Sequence, residues 1–329
     1  MHAVKLFGPG DLRLALCDAP KPQAADIVIR VESAGICGTD RHLFKGEFPC
    51  APPVTLGHEF SGIIIARGEG VDLPLGARVA CDPNCPCGRC ALCRKGKVNL
   101  CANNRAIGIH EDGGFAPYAK LPAHRAHVLP PDLNPLFGAF CEPLACTLHG
   151  VDLGAPKPGE RVIVLGGGVI GQMAVQLAKL AGAEVLLVTR QAAKRRLGED
   201  LGASLTAATL PGALALWPQG ADLVLECAGV PETVTGAPAL CTPGGRVVVL
   251  GVLPKGTTVP IDPFDLLFRE ISLLYSFLNP FTQGRAAHLI ASGMIQVAPL
   301  ISRQIPLDDA VQAISQPPHP DDVKVLIVP

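Results

Sequence analysis

Apolar and polar positions along this chain fall into two regimes. Up to about residue 125 the apolar runs are short and broken by glycine and proline, and no stretch keeps a helical period. Ile27-Val28-Ile29-Arg30-Val31, Phe60-Ser61-Gly62-Ile63-Ile64-Ile65 and Ala77-Arg78-Val79-Ala80 predict strands there. From 134 to 148 the pattern turns helical, and Cys141-Glu142-Pro143-Leu144 lies within it. Two prolines and a glycine in Ala155-Pro156-Lys157-Pro158-Gly159-Glu160 then predict a boundary, because no helix continues through them. Beyond it come continuous apolar runs of the kind that strands buried on both faces show: Arg161-Val162-Ile163-Val164-Leu165, Glu184-Val185-Leu186-Leu187-Val188, Ala221-Asp222-Leu223-Val224-Leu225-Glu226 and Gly245-Arg246-Val247-Val248-Val249-Leu250. A helical stretch over 172–181 separates the first two, so the second half reads as α/β with a parallel sheet.

Gly166-Gly167-Gly168-Val169-Ile170-Gly171 follows the first of these strands directly. Between a strand and a helix, such glycines make a tight turn and admit a pyrophosphate against backbone and helix N-terminus, which predicts a dinucleotide held by Gly166, Gly168, Val169, Ile170 and Gly171. At the end of the next strand a carboxylate would accept from the ribose of NAD. The chain has Thr189-Arg190-Gln191 instead, followed by Lys194, Arg195 and Arg196. Cations there favour the 2′-phosphate of NADP over NAD, although a basic helix face can also be merely solvated. Thr189, Arg190, Arg195, Cys227 and Gly251 complete the expected cofactor contacts.

The 329 residues, 48% hydrophobic and 17% charged, suffice for two domains with full cores. A net charge of −1 leaves no electrostatic footprint for nucleic acid or an anionic membrane, so the expected partner is a small molecule. No apolar run approaches the ~20 residues of a spanning helix. Met1-His2-Ala3-Val4-Lys5 has no basic region leading into an apolar core, and the expected location is cytoplasmic. Thirteen cysteines in a long chain of this kind point to metal rather than disulfides. Cys87, Cys90, Cys93 and Cys101 are spaced to converge on one structural Zn²⁺; an iron-sulfur site or scattered thiols are the alternatives, and Cys81 and Cys85 stand close enough to compete. Cys17, Cys50, Cys141, Cys146, Cys227 and Cys241 read as small buried hydrophobes. A second candidate centre lies in Gly35-Ile36-Cys37-Gly38-Thr39-Asp40-Arg41-His42 and Gly57-His58-Glu59, whose thiol, imidazole and carboxylate form the mixed donor set of a catalytic zinc.

In this order, the Cys37 segment, Gly57-His58-Glu59, the four-cysteine run, Glu142-Pro143-Leu144 and the glycine turn make the whole chain resemble a zinc-containing medium-chain dehydrogenase/reductase. The alcohol and polyol dehydrogenase superfamily is meant, near its sorbitol, xylitol and threonine dehydrogenase branch. The resemblance implies a mostly-β GroES-like catalytic domain over 1–150, completed by 290–329, and a Rossmann domain over 151–289 with a doubly wound parallel sheet. It implies catalytic zinc on Cys37 and His58, with Glu59 and Glu142 as carboxylates that ligate it or exchange with water. Glu142 stands in the neighbourhood of the later ligand position, where the alcohol dehydrogenase branch carries a cysteine, which favours the polyol-type branch.

The implied activity is hydride transfer between NADP(H), or NAD(H), and a secondary alcohol or ketone, with Thr39 and His42 relaying the proton to water; imidazole suits the outer end of such a relay. Ser276 falls about where sorbitol-type enzymes carry an arginine that orients the polyol, which widens the expected substrates to other small alcohols, diols and cyclitols. The competing readings are a zinc-free reductase, against which the intact Cys37, His58, Glu59 and Glu142 speak, and a non-enzymatic nucleotide-binding protein. The apolar stretch 253–281 suggests a strand that pairs across a two-fold axis in a homodimer or homotetramer.

Overall fold

The computed structural model describes all 329 residues, which form two compact units, Met1–Ala145 with Pro280–Pro329, and Cys146–Asn279. In the first unit a seven-stranded sheet runs Ala126–Val128, Arg78–Cys81, Glu59–Arg67, Asp26–Gly35, Lys324–Val328 and Ile301–Pro306, with Tyr118–Pro122 also paired to Asp26–Gly35. Ile27, Ile29, Phe60, Ile64, Leu121 and Ile327 are among its core side chains. The register decides what meets at one end of the central strands. Gly35 lies opposite Glu59 on one side and opposite Leu326 on the other, so the last strand of the chain borders the segment that carries Cys37.

In the second unit six parallel strands stand in the order Leu205–Ala207, Glu184–Val188, Arg161–Leu165, Ala221–Glu226, Cys241–Val249, Ser272–Tyr275. Sequence order runs outward in both directions from Arg161–Leu165, the doubly wound arrangement whose crevice opens at the carboxyl ends of Arg161–Leu165 and Ala221–Glu226. Val162, Ile163, Val164 and Leu165 are all fully buried, as two covered faces require.

Three features differ from the sequence reading. An eight-residue helix, Gly38–Lys45, sits in the region that shows no helical period; two turns are too short for a periodic signal, and its start comes from a cap, Cys37 N–H donating to Asp40 Oδ2 at 2.8 Å. The helix expected over 134–148 is a 3₁₀ turn at Phe137–Phe140 leading into Cys141–Gly154. The proline-rich stretch at 155–160 follows that helix, whereas the units divide inside it, at 145/146, and again at 279/280. Helix Gln283–Ala291 thus belongs to the first unit: Gln283 Nε2 donates to Cys81 O at 3.0 Å, and Thr282 Oγ1 to Ala145 O at 2.7 Å.

Candidate active site

Cys37 caps helix Gly38–Lys45, while His58 and Glu59 lie where the chain enters strand Glu59–Arg67. The ligating atoms of Cys37, His58 and Glu59 come within 4.8 Å of one another. Gly35 makes this possible, since a Cβ there would overlap Glu59 Oε2. The Glu59 carboxylate, 1% exposed, receives Lys324 Nζ at 2.5 Å; the same ammonium donates to Ile36 O at 3.1 Å. Desolvation by itself pushes the Lys324 pKa down, but Glu59 first and then Cys37 outweigh it and hold the group above its ordinary value.

Behind His58 stands Asp40, fully buried, with Oδ1 3.6 Å from His58 Nδ1 and neither atom otherwise hydrogen-bonded. A carboxylate behind an imidazole is the outer-shell arrangement that orients metal-ligating histidines. Burial drives the His58 pKa down, yet Asp40 and Cys37 drive it well above normal. A buried imidazole between the Asp40 carboxylate and the Cys37 sulfur, beside the Glu59 carboxylate, makes a mixed sulfur, nitrogen and oxygen donor set that fits Zn²⁺. Glu142 is buried near the start of helix Cys141–Gly154, outside that converging trio, where its charge acts on Lys324. Thr39 and His42 are both half-buried on helix Gly38–Lys45, and His42 Nδ1 lies 2.6 Å from Glu47 Oε2.

The second cluster joins Cys87, Cys90, Cys93 and Cys101. Cys101 Sγ is 3.5 Å from Cys87 Sγ and 3.9 Å from Cys90 Sγ, against about 3.8 Å between sulfurs of a tetrahedral site with Zn–S bonds near 2.3 Å. Backbone N–H groups of Arg89 and Cys90 pull the Cys87 pKa down to about 6, whereas burial pushes Cys93 up to about 12. Four sulfurs crowded at these distances are what a dication holds together as thiolates. Cys81 is buried on its own strand and Cys85 turns its thiol toward Pro83 O at 3.7 Å, so neither joins the cluster. Among the cysteines read as buried hydrophobes, Cys141 and Cys241 are buried; Cys17, Cys50, Cys146 and Cys227 are half-buried.

In the second unit a cavity of about 630 Å³ opens at the sheet's topological switch point. Gly166, Gly168, Thr189, Arg190 and Cys227 line it, together with Lys194 of the basic run that follows the strand. A Cβ at Gly168 would meet no protein atom within 4 Å, leaving room for a ligand beside the first turn of helix Val169–Leu180, while a Cβ at Gly171 would overlap Gly166 O. These features fit a dinucleotide pyrophosphate. Val169, Ile170, Gly171 and Gly251 lie outside the lining, and Gly251 packs on Gly229 and the Glu226 carboxylate. Arg195 is a brace rather than a lining residue, its guanidinium donating to Thr189 O at 2.7 Å and Arg190 O at 2.8 Å.

Sequence reading assigned no role to Lys324, Asp40 or Glu47. A signal existed for two of them: Lys324 is a lone charge in the apolar run Val323-Lys324-Val325-Leu326-Ile327, and Asp40 stands three residues after a helix cap.

Residues 23–131 match the alcohol dehydrogenase GroES-like domain family and residues 169–291 the zinc-binding dehydrogenase family. The chain is 32% identical to 2-dehydro-3-deoxy-L-galactonate 5-dehydrogenase of Pseudoalteromonas atlantica, over 99% of this chain and 98% of that protein. It is also 32% identical to sorbitol dehydrogenase of Gallus gallus, over 99% and 95% respectively. A structure from Sinorhizobium meliloti 1021 described as a zinc-binding dehydrogenase bound to NADP superposes with a TM-score of 0.98 at 53% identity, covering 100% of this chain and 99% of that one. The chain therefore belongs to the zinc-type medium-chain dehydrogenase/reductase family, and is an oxidoreductase of the zinc-dependent alcohol dehydrogenase type. No helix is long and apolar enough to cross a membrane.

Proposed function

We propose that this chain interconverts a secondary alcohol of a polyol or sugar derivative and the corresponding ketone, with NADP(H) preferred as hydride carrier. The observation that carries the reading is the convergence of Cys37, His58 and Glu59 on one point, backed by Asp40 and Lys324. When bound, zinc supplies Lewis acidity at the alcohol oxygen and the nicotinamide accepts the hydride. Asp40 orients His58, Lys324 holds the Glu59 carboxylate, and Glu142 is the further carboxylate of the site. Thr39 and His42, three residues apart on one helix, share a face and would carry the proton outward. The relatives that act on sugar-derived alcohols support the polyol class. Ser276, a small hydroxyl beyond strand Ser272–Tyr275, favours a neutral diol or cyclitol as the second reading.

Turnover of sorbitol, D-arabinitol, inositol and butane-2,3-diol with NADP⁺ and NAD⁺ in parallel tests this directly. Zinc-loaded protein that turns over none of them with either nucleotide would overturn the substrate class.

NADP preference rests on Arg190 and Lys194 lining the cavity where no carboxylate ends the strand. A charge-assisted contact to phosphate contributes about 1.5–3 kcal/mol, so R190A/K194A is expected to raise the KM for NADP⁺ by roughly 10–100-fold and to leave that for NAD⁺ within about threefold. Equal changes for both nucleotides would refute the assignment.

A homodimer is the assembly the second unit favours. Strand Ser272–Tyr275 is the edge of its sheet, and the helix before it exposes Phe264, Leu267 and Phe268, the two phenylalanine rings stacked at 4.3 Å. Two-fold pairing of this edge would cover both. L267E/F268E is expected to elute as a monomer where the parent elutes as a dimer or larger; a parent that is itself a monomer contradicts the proposal.

A further inference from the structure

Helix Gly38–Lys45 ends in a Schellman motif. Gly46, at φ 75°, lets the chain turn back, Gly46 N–H donates to Leu43 O at 3.0 Å, and Glu47 N–H donates to His42 O at 2.8 Å. That last bond sets residue 47 over residue 42. In such caps this pair of positions usually makes a hydrophobic contact. Here it holds an imidazole and a carboxylate, His42 Nδ1 and Glu47 Oε2 at 2.6 Å, both side chains partly exposed.

From this geometry we propose that Glu47 is a positioning residue for proton exit: its carboxylate accepts from His42 Nδ1–H and so leaves Nε2 as the nitrogen that takes the proton arriving by way of Thr39. This rests on His42 being the outer end of the relay. The proton balance is simple. One proton leaves the alcohol hydroxyl, passes to His42 Nε2 and from there to water, while Glu47 keeps its charge throughout. An imidazole free to present either nitrogen would spend part of its time with Nε2 already protonated and unable to accept. The carboxylate removes that second state, and a cation at the C-terminal end of a helix is favoured as the proton passes through.

The cap and the acceptor are separable. The bond that closes the cap comes from the backbone of residue 47, which any residue except proline retains, so E47L keeps the turn and restores the usual hydrophobic contact while removing the acceptor. E47Q keeps an acceptor oxygen. ¹⁵N-histidine NMR on protein loaded with zinc and NADP⁺, with H42Q assigning the signals, is expected to show Nδ1–H in the parent and in E47Q, and Nε2–H in E47L. Oxidation of sorbitol and of butane-2,3-diol should lose at least about tenfold in kcat in E47L, with KM for NADP⁺ unchanged, and recover to within about threefold of the parent in E47Q. E47L with the parent's tautomer and kcat would overturn the role of Glu47 and leave the relay standing. H42Q with full turnover would remove the relay itself, whatever the tautomer measurement gives.

Discussion

K324M is expected to be among the most damaging single substitutions in this chain. Lys324 and Glu59 form an ion pair at 2.5 Å with both side chains 2% exposed. Deleting one partner leaves the other charge in a place water does not reach, which typically costs about 3–5 kcal/mol, whereas replacing both can be nearly neutral. The double cycle makes this measurable. E59Q and K324M should each lower stability to urea by amounts in that range, and E59Q/K324M should lose less than the two combined, with a coupling of roughly 2–3 kcal/mol. A second readout concerns the site. Partners behind metal ligands typically contribute 10–100-fold to metal affinity or activity, so K324M should weaken zinc retention at the Cys37–His58–Glu59 centre by about that factor in competition with a chelator. Additive losses in the cycle, together with unchanged zinc retention, would reduce Lys324 to a packing residue.

Lys324 also shows what kind of information a linear reading lacks. It lies 265 residues from Glu59, and the two meet because Gly35 pairs with Glu59 on one side and with Leu326 on the other. Sheet register is a property of the assembled strands. Local features were easier to read. The parallel strands announce themselves because both of their faces are buried, and the glycine turn is recognisable because strand, turn and helix adjoin in sequence. The four cysteines are equally local, since fifteen residues contain all of them. Direction is harder than proximity: Arg190 and Arg195 are both cations beside the strand end, yet one lines the cavity and the other turns its guanidinium onto two carbonyls. Helix Gly38–Lys45 is hidden from a periodicity reading for a related reason, because caps rather than periodicity define so short a helix.

The two metal clusters differ in what the chain would do without them. Around Cys37 the surrounding sheet and its core are complete, so loss of the metal there, with the Glu59–Lys324 pair intact, should mainly affect chemistry. Over 86–104 the situation is reversed. Cys93 and Cys101 are the two buried side chains in that segment, both of them cluster thiols, Leu92 and Leu100 are 37% and 46% exposed, and its regular structure amounts to the short helix Ala91–Arg94 and a single 3₁₀ turn at Val98–Leu100. So few apolar contacts cannot offset the conformational entropy of ordering about twenty residues, at about 1–2 kcal/mol of backbone each. A structural zinc site contributes on the order of 10–16 kcal/mol in small domains that fold around it, which is the right size to hold this lobe. C93S should therefore bind about one zinc per chain where the parent binds about two. It should also unfold locally, exposing Arg89, Arg94, Lys95 and Lys97 to trypsin at least about a hundredfold faster while the remainder of the chain stays resistant. Full resistance to trypsin in C93S with that zinc gone would mean that the lobe is held by contacts other than the metal.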